Sequence, residues 1–314
     1  MVQSLGIKIV PLLKHPHLIP ILRDESPLSV YWPEFTNNAR ILCKYLPYIF
    51  DRPALAGGIF VALVRDDSTG REKIVGSSHS IPFHWAHPSD DASLPQGGWE
   101  RALVSGVELE LSQDPHKPKT NALCALEVTI HPDYRYKQTG RDLASELLLK
   151  MKEHARQSGF VAMVVPVRPP LKQLPEFVWM DMNRYCSHVK EEKKVPIEET
   201  RSRPDGELVP IPKGAEAFDS WIQKHLSLGA RIVGVCHESY KVEGTRSEWE
   251  KWTGVNFSVP SPRPYMHARE DEMNDADDDD SYEVVVPGGL VPVKFYPARG
   301  LGVYIEPNLW MRHF

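Results

Sequence analysis

Three cations, Arg135, Lys137 and Arg141, crowd the segment HPDYRYKQTGR (131–141), just ahead of an amphipathic helical pattern. Positive side chains are disfavoured at a helix N-terminus by ~0.3–1 kcal/mol each, because unpaired backbone N–H groups already put partial positive charge there. Asp133 and Asp142 offset part of this. A bound anion would remove the conflict, since N–H groups at a helix start are a ready site for phosphate. The competing reading is a solvated basic loop. The chemistry to test is therefore recognition of a phosphate-bearing ligand, and the elements around the turn must position it.

The flanking pattern reads strand, turn, helix, strand. ALCALEVTI (122–130) has strand character, and the helix runs to His154 or Ala155, with Gly159 placed to end it. Leu143, Leu147 and Met151 repeat every four residues, with Ala144, Leu148 and Ala155 beside them, which makes one apolar stripe. FVAMVVPV (160–167) is apolar on both faces, as in a buried parallel strand, so the unit predicts a right-handed crossover. Pro166 has no N–H to give a ladder, and Pro169 and Pro170 extend the interruption. Two parallel strands that begin paired and then part would leave free backbone groups in a wedge, able to bond an extended amide ligand. A proline that merely ends a strand is the plainer alternative.

The segment ALEVTIHPDYRYKQTGRDLASELLLKMKEHARQSGFVAMVVPVRP resembles the acyl-CoA-binding core of the GNAT superfamily of N-acetyltransferases, in which an Arg/Gln-x-x-Gly-x-Gly/Ala turn follows a strand. On this sequence the motif starts at Arg135, its first glycine position holds Gln138 and its second holds Gly140. Gln reaches positive φ less readily than Gly. A second block, AFDSWIQKHLSLGARI (217–232), is similar to the superfamily helix that ends in Tyr-x-x-x-Gly-Phe, with His225 at the tyrosine position. WPEF (32–35), GGWERAL (97–103), PVRPPLK (166–172) and the tail YIEPNLWMRHF resemble a microbial subgroup of mostly unassigned substrate.

The resemblance implies an α/β (α+β) fold: a mixed, mostly antiparallel sheet with helices on both faces and a splayed parallel strand pair. It implies acyl transfer, most simply of acetyl from acetyl-CoA, to an amine of a small organic molecule by direct attack in a ternary complex. The backbone of Leu126, Val128 and Ile130 would meet the thioester and pantetheine, and Arg135, Tyr136, Lys137, Gln138, Thr139, Gly140 and Arg141 would hold the pyrophosphate. Glu127 is the candidate base, with Glu306 as a second. His225 is the candidate acid, with Tyr240, Tyr282 and Tyr304 as rivals. Two alternatives stand beside this reading: an inactive CoA-binding regulatory module, and a transferase for a longer acyl donor or a hydroxyl acceptor.

Composition fits a globular chain. The 314 residues carry a formal net charge of −5, but residues 270–280 alone hold eight acids and no base, so the remainder is slightly basic, with 37 basic against 34 acidic residues. That is too little for a nucleic-acid binder, which shows a dominant basic face. Cys43, Cys124, Cys186 and Cys236 form no C-x-x-C pair, which predicts a reducing compartment and no structural zinc. His79, His84 and His87 lie close together, yet no carboxylate or cysteine stands at metal-site spacing, so no metal is expected. No H-E-x-x-H, G-x-S-x-G or Walker sequence occurs, and no apolar run reaches the ~20 residues that span a bilayer. The early apolar stretch contains Lys8 and Lys14 and makes a poor secretory signal, so the cytoplasm is the expected location, with no membrane partner.

One domain over 1–314 is expected, with surface insertions at about 187–214 and 262–281, the second disordered through charge repulsion. Strands are predicted at 6–13, 58–67, 72–85, 231–242, 282–297 and 302–307. Helices are predicted at 18–25 and 37–50, which the resemblance implies cover the substrate, at 98–113, closing over the acceptor, and at 247–254.

Overall fold

The computed structural model describes residues 6–66, 70–190, 208–212, 214–262 and 280–314. The expected insertion at 187–214 is thus described only at its ends, and the acidic run lies outside the described residues except for Asp280.

Among the described residues, nine strands build one sheet. In chain order β1 is Lys8–Pro11, β2 Phe60–Arg65, β3 Glu72–Phe83, β4 Ala122–Ile130 and β5 Ala162–Val167. A separate two-stranded ribbon is formed by β6 (Val189–Lys190) and β7 (Glu216–Ala217). The main sheet resumes with β8 (Arg231–Thr245), β9 (Tyr282–Val284), β10 (Val293–Tyr296) and β11 (Leu301–Arg312). The strand order is β1-β2-β3-β4-β5-β11-β10-β9, with β8 also pairing β11. β4 and β5 run parallel, and every other pairing is antiparallel. The sheet is therefore mixed and mostly antiparallel, as expected.

Side chains alternate across β4 and β5 and feed two cores. Ala122, Cys124, Leu126, Ala162 and Val164 face one side, where they pack with α1 (Ile19–Asp24), α2 (Arg40–Asp51) and α3 (Gly98–Leu111). Leu123, Ala125, Met163 and Val165 face the other, against α4 (Leu143–Gln157) and α5 (Ser220–Ser227). The predicted stripe on α4 is buried at Leu143, Leu147, Leu148, Met151 and Ala155. Gly159 takes φ +74° just beyond the helix. A third core gathers Phe35, Trp249, Phe257, Phe295 and Tyr304 beneath α6 (Arg246–Thr253).

Two differences from the sequence reading matter. The tail forms a twelve-residue strand, far longer than the six residues expected at 302–307, because it fills the centre of the sheet between β5, β8 and β10. The basic segment also contains one helical turn, Tyr136–Thr139, closed by Gly140 in the left-handed conformation at φ +69°. No non-glycine residue among those described has positive φ, so Gln138 sits in that turn without strain.

Candidate active site

β4 and β5 pair only at Ala122–Ala162, Leu123–Met163 and Cys124–Val164. β5 nevertheless keeps its partner on the other side through Val167, with Trp310 opposite Pro166. On its β3 side, β4 pairs His79 with Glu127 and then Ser80 with Ala125, so Leu126 is an extra residue, a β-bulge. A bulge on one strand and a proline on the other end the shared ladder at one level. A cleft of about 180 Å³, partly open to solvent, occupies the gap. Its walls include Phe50 and Trp99 from one core and Leu148 and Trp221 from the other, so it passes through the sheet.

Glu127 lines this cleft. Its Oε1 accepts from Thr129 Oγ1 at 2.6 Å and Trp32 Nε1 at 3.2 Å, and its Oε2 lies 3.4 Å from His79 Nδ1. Burial alone would raise the carboxyl, but the His79 ring and the hydrogen bonds outweigh it and hold Glu127 below the usual carboxylate value. The neighbouring Leu126 carbonyl accepts from Trp99 Nε1 at 2.8 Å.

Glu306 lines the same cleft but is fully engaged. Arg168 Nε donates to both oxygens at 3.0 Å, Tyr304 OH to Oε2 at 2.5 Å and Asn308 Nδ2 to Oε1 at 3.2 Å. Arg168 is also bonded to the Gly288 carbonyl, and its guanidinium lies 6.0 Å from the centre of the Trp32 ring. Both of its oxygens are thus taken by partners within the protein. Tyr304 is tied to it, and Tyr240 lines the cleft with its OH given to the Thr36 carbonyl at 2.6 Å.

His225 lies on α5, which Asp219 caps by accepting from the amides of Trp221 and Ile222. Its ring forms part of the cleft wall, edge-on to Trp221 at 4.9 Å. Nδ1 meets His313 Nε2 at 3.0 Å, and Nε2 is buried without a partner. Burial first, then His313 and Lys224, push His225 well below the ordinary imidazole value. At neutral pH it is uncharged.

His79 and Arg168 were not singled out for chemistry at this site by sequence reasoning. His79 carried no local signal, since only the pairing of β3 with β4 sets it opposite Glu127. Arg168 follows the interrupting proline, where the strand has already left its neighbour. Among the described residues the metal-capable side chains that come together are His15, His17 and Glu72, and none of them lines the cleft.

The chain is 30% identical, over 324 positions, to arginine N-acetyltransferase avaD of Aspergillus versicolor, spanning 99% of this chain and 97% of that protein. The chain belongs to the GNAT superfamily of N-acetyltransferases. No family model matches it. Among solved structures it is similar to a GphF GNAT-like decarboxylase in complex with isobutyryl-CoA, at 19% identity over 74% of this chain and 89% of that one, with a TM-score of 0.41. A polyamine N-acetyltransferase of Drosophila melanogaster is more distant, at 18% identity over 51% and 75% of the two chains and a TM-score of 0.27.

As a GNAT enzyme it acetylates an amine, and its segment 135–141 can be judged as a phosphate site. Arg135, Tyr136, Lys137 and Gln138 are exposed at the surface. The amides of Gln138 and Thr139 bond the Arg135 carbonyl, and that of Gly140 bonds the Tyr136 carbonyl. The Arg141 guanidinium grips Glu146 through two bonds of 2.8 and 2.7 Å and the Ile7 carbonyl at 2.6 Å. Asp142 caps α4 and pairs with Lys224 at 2.5 Å. Lys137 and Arg135 are the exposed cations of this segment, Arg135 with its Nε donating to the Ile130 carbonyl at 3.4 Å, and Arg141 braces α4 against the start of β1.

Proposed function

We propose that the enzyme moves acetyl from acetyl-CoA to a basic nitrogen of a small, arginine-like molecule, in one step with both substrates bound. The observation that carries this reading is the cleft through the sheet where the β4–β5 ladder stops after Cys124 and Val164. Backbone groups of Leu126, Val128 and Ile130 are suited to an extended pantetheine arm, and Arg135 and Lys137 with the turn 136–141 to its diphosphate. The β4 amides would polarise the thioester oxygen and hold charge developing there. The named activity of the Aspergillus relative supports a guanidino amino acid or a close analogue as acceptor. Glu127 together with Trp32, Phe50 and Tyr240 gives one face of the cleft negative charge and flat apolar walls, both favourable to a planar cation. The proton is lost on the Glu127 side, while His225 steadies the departing sulfur by a hydrogen bond. All four cysteines are free, which fits a cytoplasmic location.

Thiol release from acetyl-CoA, measured over arginine, agmatine, ornithine, lysine and spermidine, tests the reading. Guanidino acceptors should turn over fastest. Binding of acetyl-CoA with no release on any of them would contradict it.

A further inference from the structure

His79 stands beside Glu127 as its cross-strand partner, on the face of the sheet that meets the cleft. Its side chain is only 8% exposed, packed edge-on to Phe50 with ring centres 5.4 Å apart. Neither ring nitrogen has a hydrogen-bond partner. Nδ1 leans toward Glu127 Oε2 at 3.4 Å, within ion-pair reach but outside good hydrogen-bond geometry. Nε2 has no protein atom to satisfy it, although a buried unpaired polar atom costs about 1–3 kcal/mol. Such a nitrogen, in the wall of a substrate cleft, is one whose partner arrives with the substrate.

We propose that His79 is the base that takes the proton from the acceptor nitrogen, and that Glu127 is the positioning residue that orients its ring. This rests on the acetyl-transfer reading above. Glu127 is poorly suited to be the base itself. Thr129 and Trp32 both donate to its Oε1, so that oxygen is already engaged. Imidazole is the side chain most often used as a general base, and here a carboxylate stands behind it. The carboxylate favours the proton on Nδ1, which leaves the Nε2 lone pair for the acceptor. The charged groups sharing the cleft wall with His79 are Glu127 and the Arg168–Glu306 pair, the latter internally neutralised.

The proton balance closes. The acceptor's N–H bond breaks, its electrons stay on nitrogen, and His79 Nε2 takes the proton, forming an imidazolium beside the Glu127 anion. The freed lone pair forms the C–N bond, and the C–S electrons leave with sulfur. Sulfur takes the nitrogen's second proton as thiol, and His79 returns the first to water at the open end of the cleft. The products are amide, thiol and one released proton.

The test combines variants with a direct view of the ring. In ¹⁵N-histidine spectra of the unaltered protein, His79 should show the Nδ1–H tautomer, and Glu127→Gln should weaken that preference. His79→Gln should lower kcat about 100-fold or more, the range of general-base catalysis. It should abolish the acidic limb of the kcat/KM profile and leave acetyl-CoA binding by calorimetry unchanged. Added imidazole should restore part of the activity of His79→Ala. Glu127→Gln should shift the acidic limb to lower pH rather than erase it. If His79→Gln keeps kcat within about threefold and retains the limb, or if it loses acetyl-CoA binding, the assignment is overturned. Absence of turnover in the unaltered enzyme overturns the acetyl-transfer reading and this assignment with it, whereas turnover with a silent His79→Gln overturns this assignment alone.

Discussion

Cys124 and Val164 are the last residues of β4 and β5 to stand as partners, and one step further Ala125 and Val165 both line the cleft. The ladder ends between a bulge at Leu126 and the missing N–H of Pro166, so the opening is built into the covalent chain rather than imposed by a ligand. This one event supplies a passage through the sheet and backbone groups to line it, with Glu127 beside it.

Arg135→Ala combined with Lys137→Ala should raise the KM for acetyl-CoA about tenfold while leaving kcat nearly unchanged. The pair faces solvent, so the loss falls below the ~1.5–3 kcal/mol of a buried charge-assisted bond. Added salt should weaken binding in the unaltered enzyme more than in the variant. Initial rates at varied acetyl-CoA and ionic strength check both points.

Glu306→Gln should destabilise the fold by about 3–5 kcal/mol, because it strands the Arg168 guanidinium in a buried site. Tyr304 and Asn308 would lose their anionic acceptor as well. Urea unfolding at constant slope measures the loss. A shift under about 1 kcal/mol would show the network to be dispensable.

The buried His225–His313 pair should make the protein acid-labile. Burial first, then Lys152 and Arg156, lowers His313 to about 4, and His225 is also held well below 6.5. Below the unfolded value near 6.5 the unfolded chain binds protons that the folded one refuses. Stability therefore falls as pH drops from about 6.5 toward 4. His225→Gln with His313→Gln should flatten that slope in thermal scans taken every half unit of pH.

Lys172 is completely buried, with its ammonium on the carbonyls of Phe177, Val178 and Leu290. Burial lowers it to about 8 from 10.5. Between those values the unfolded chain holds the extra proton, so this residue makes stability rise with pH across the window, by up to about 3 kcal/mol. Lys172→Met should remove that rise. The difference between the two proteins' pH–stability curves isolates the lysine from tyrosines and cysteines that titrate nearby.

Much of this architecture could be read from residue order. The stripe at Leu143, Leu147 and Met151, the two-faced apolar run 160–167 and the placement of Pro166 reported the crossover unit, because burial and missing donors act locally. Register did not show. His79 and Glu127 lie 48 positions apart, and only the pairing of β3 with β4 sets them side by side. Spacing could nominate Glu306 as a base and His225 as an acid, but it could not show that Arg168 and Tyr304 bond the first or that the second is buried against His313. Those contacts belong to the tertiary surroundings, which spacing alone does not carry.

Hydrogen exchange read by mass spectrometry, with and without saturating CoA, tests the central claim most directly. Placement of the carrier in the gap predicts slowed exchange in residues 125–130, 135–141 and 165–168, with little change in β9 and β10 at the far edge. Protection confined to other segments, or none with CoA at millimolar concentration, would contradict it.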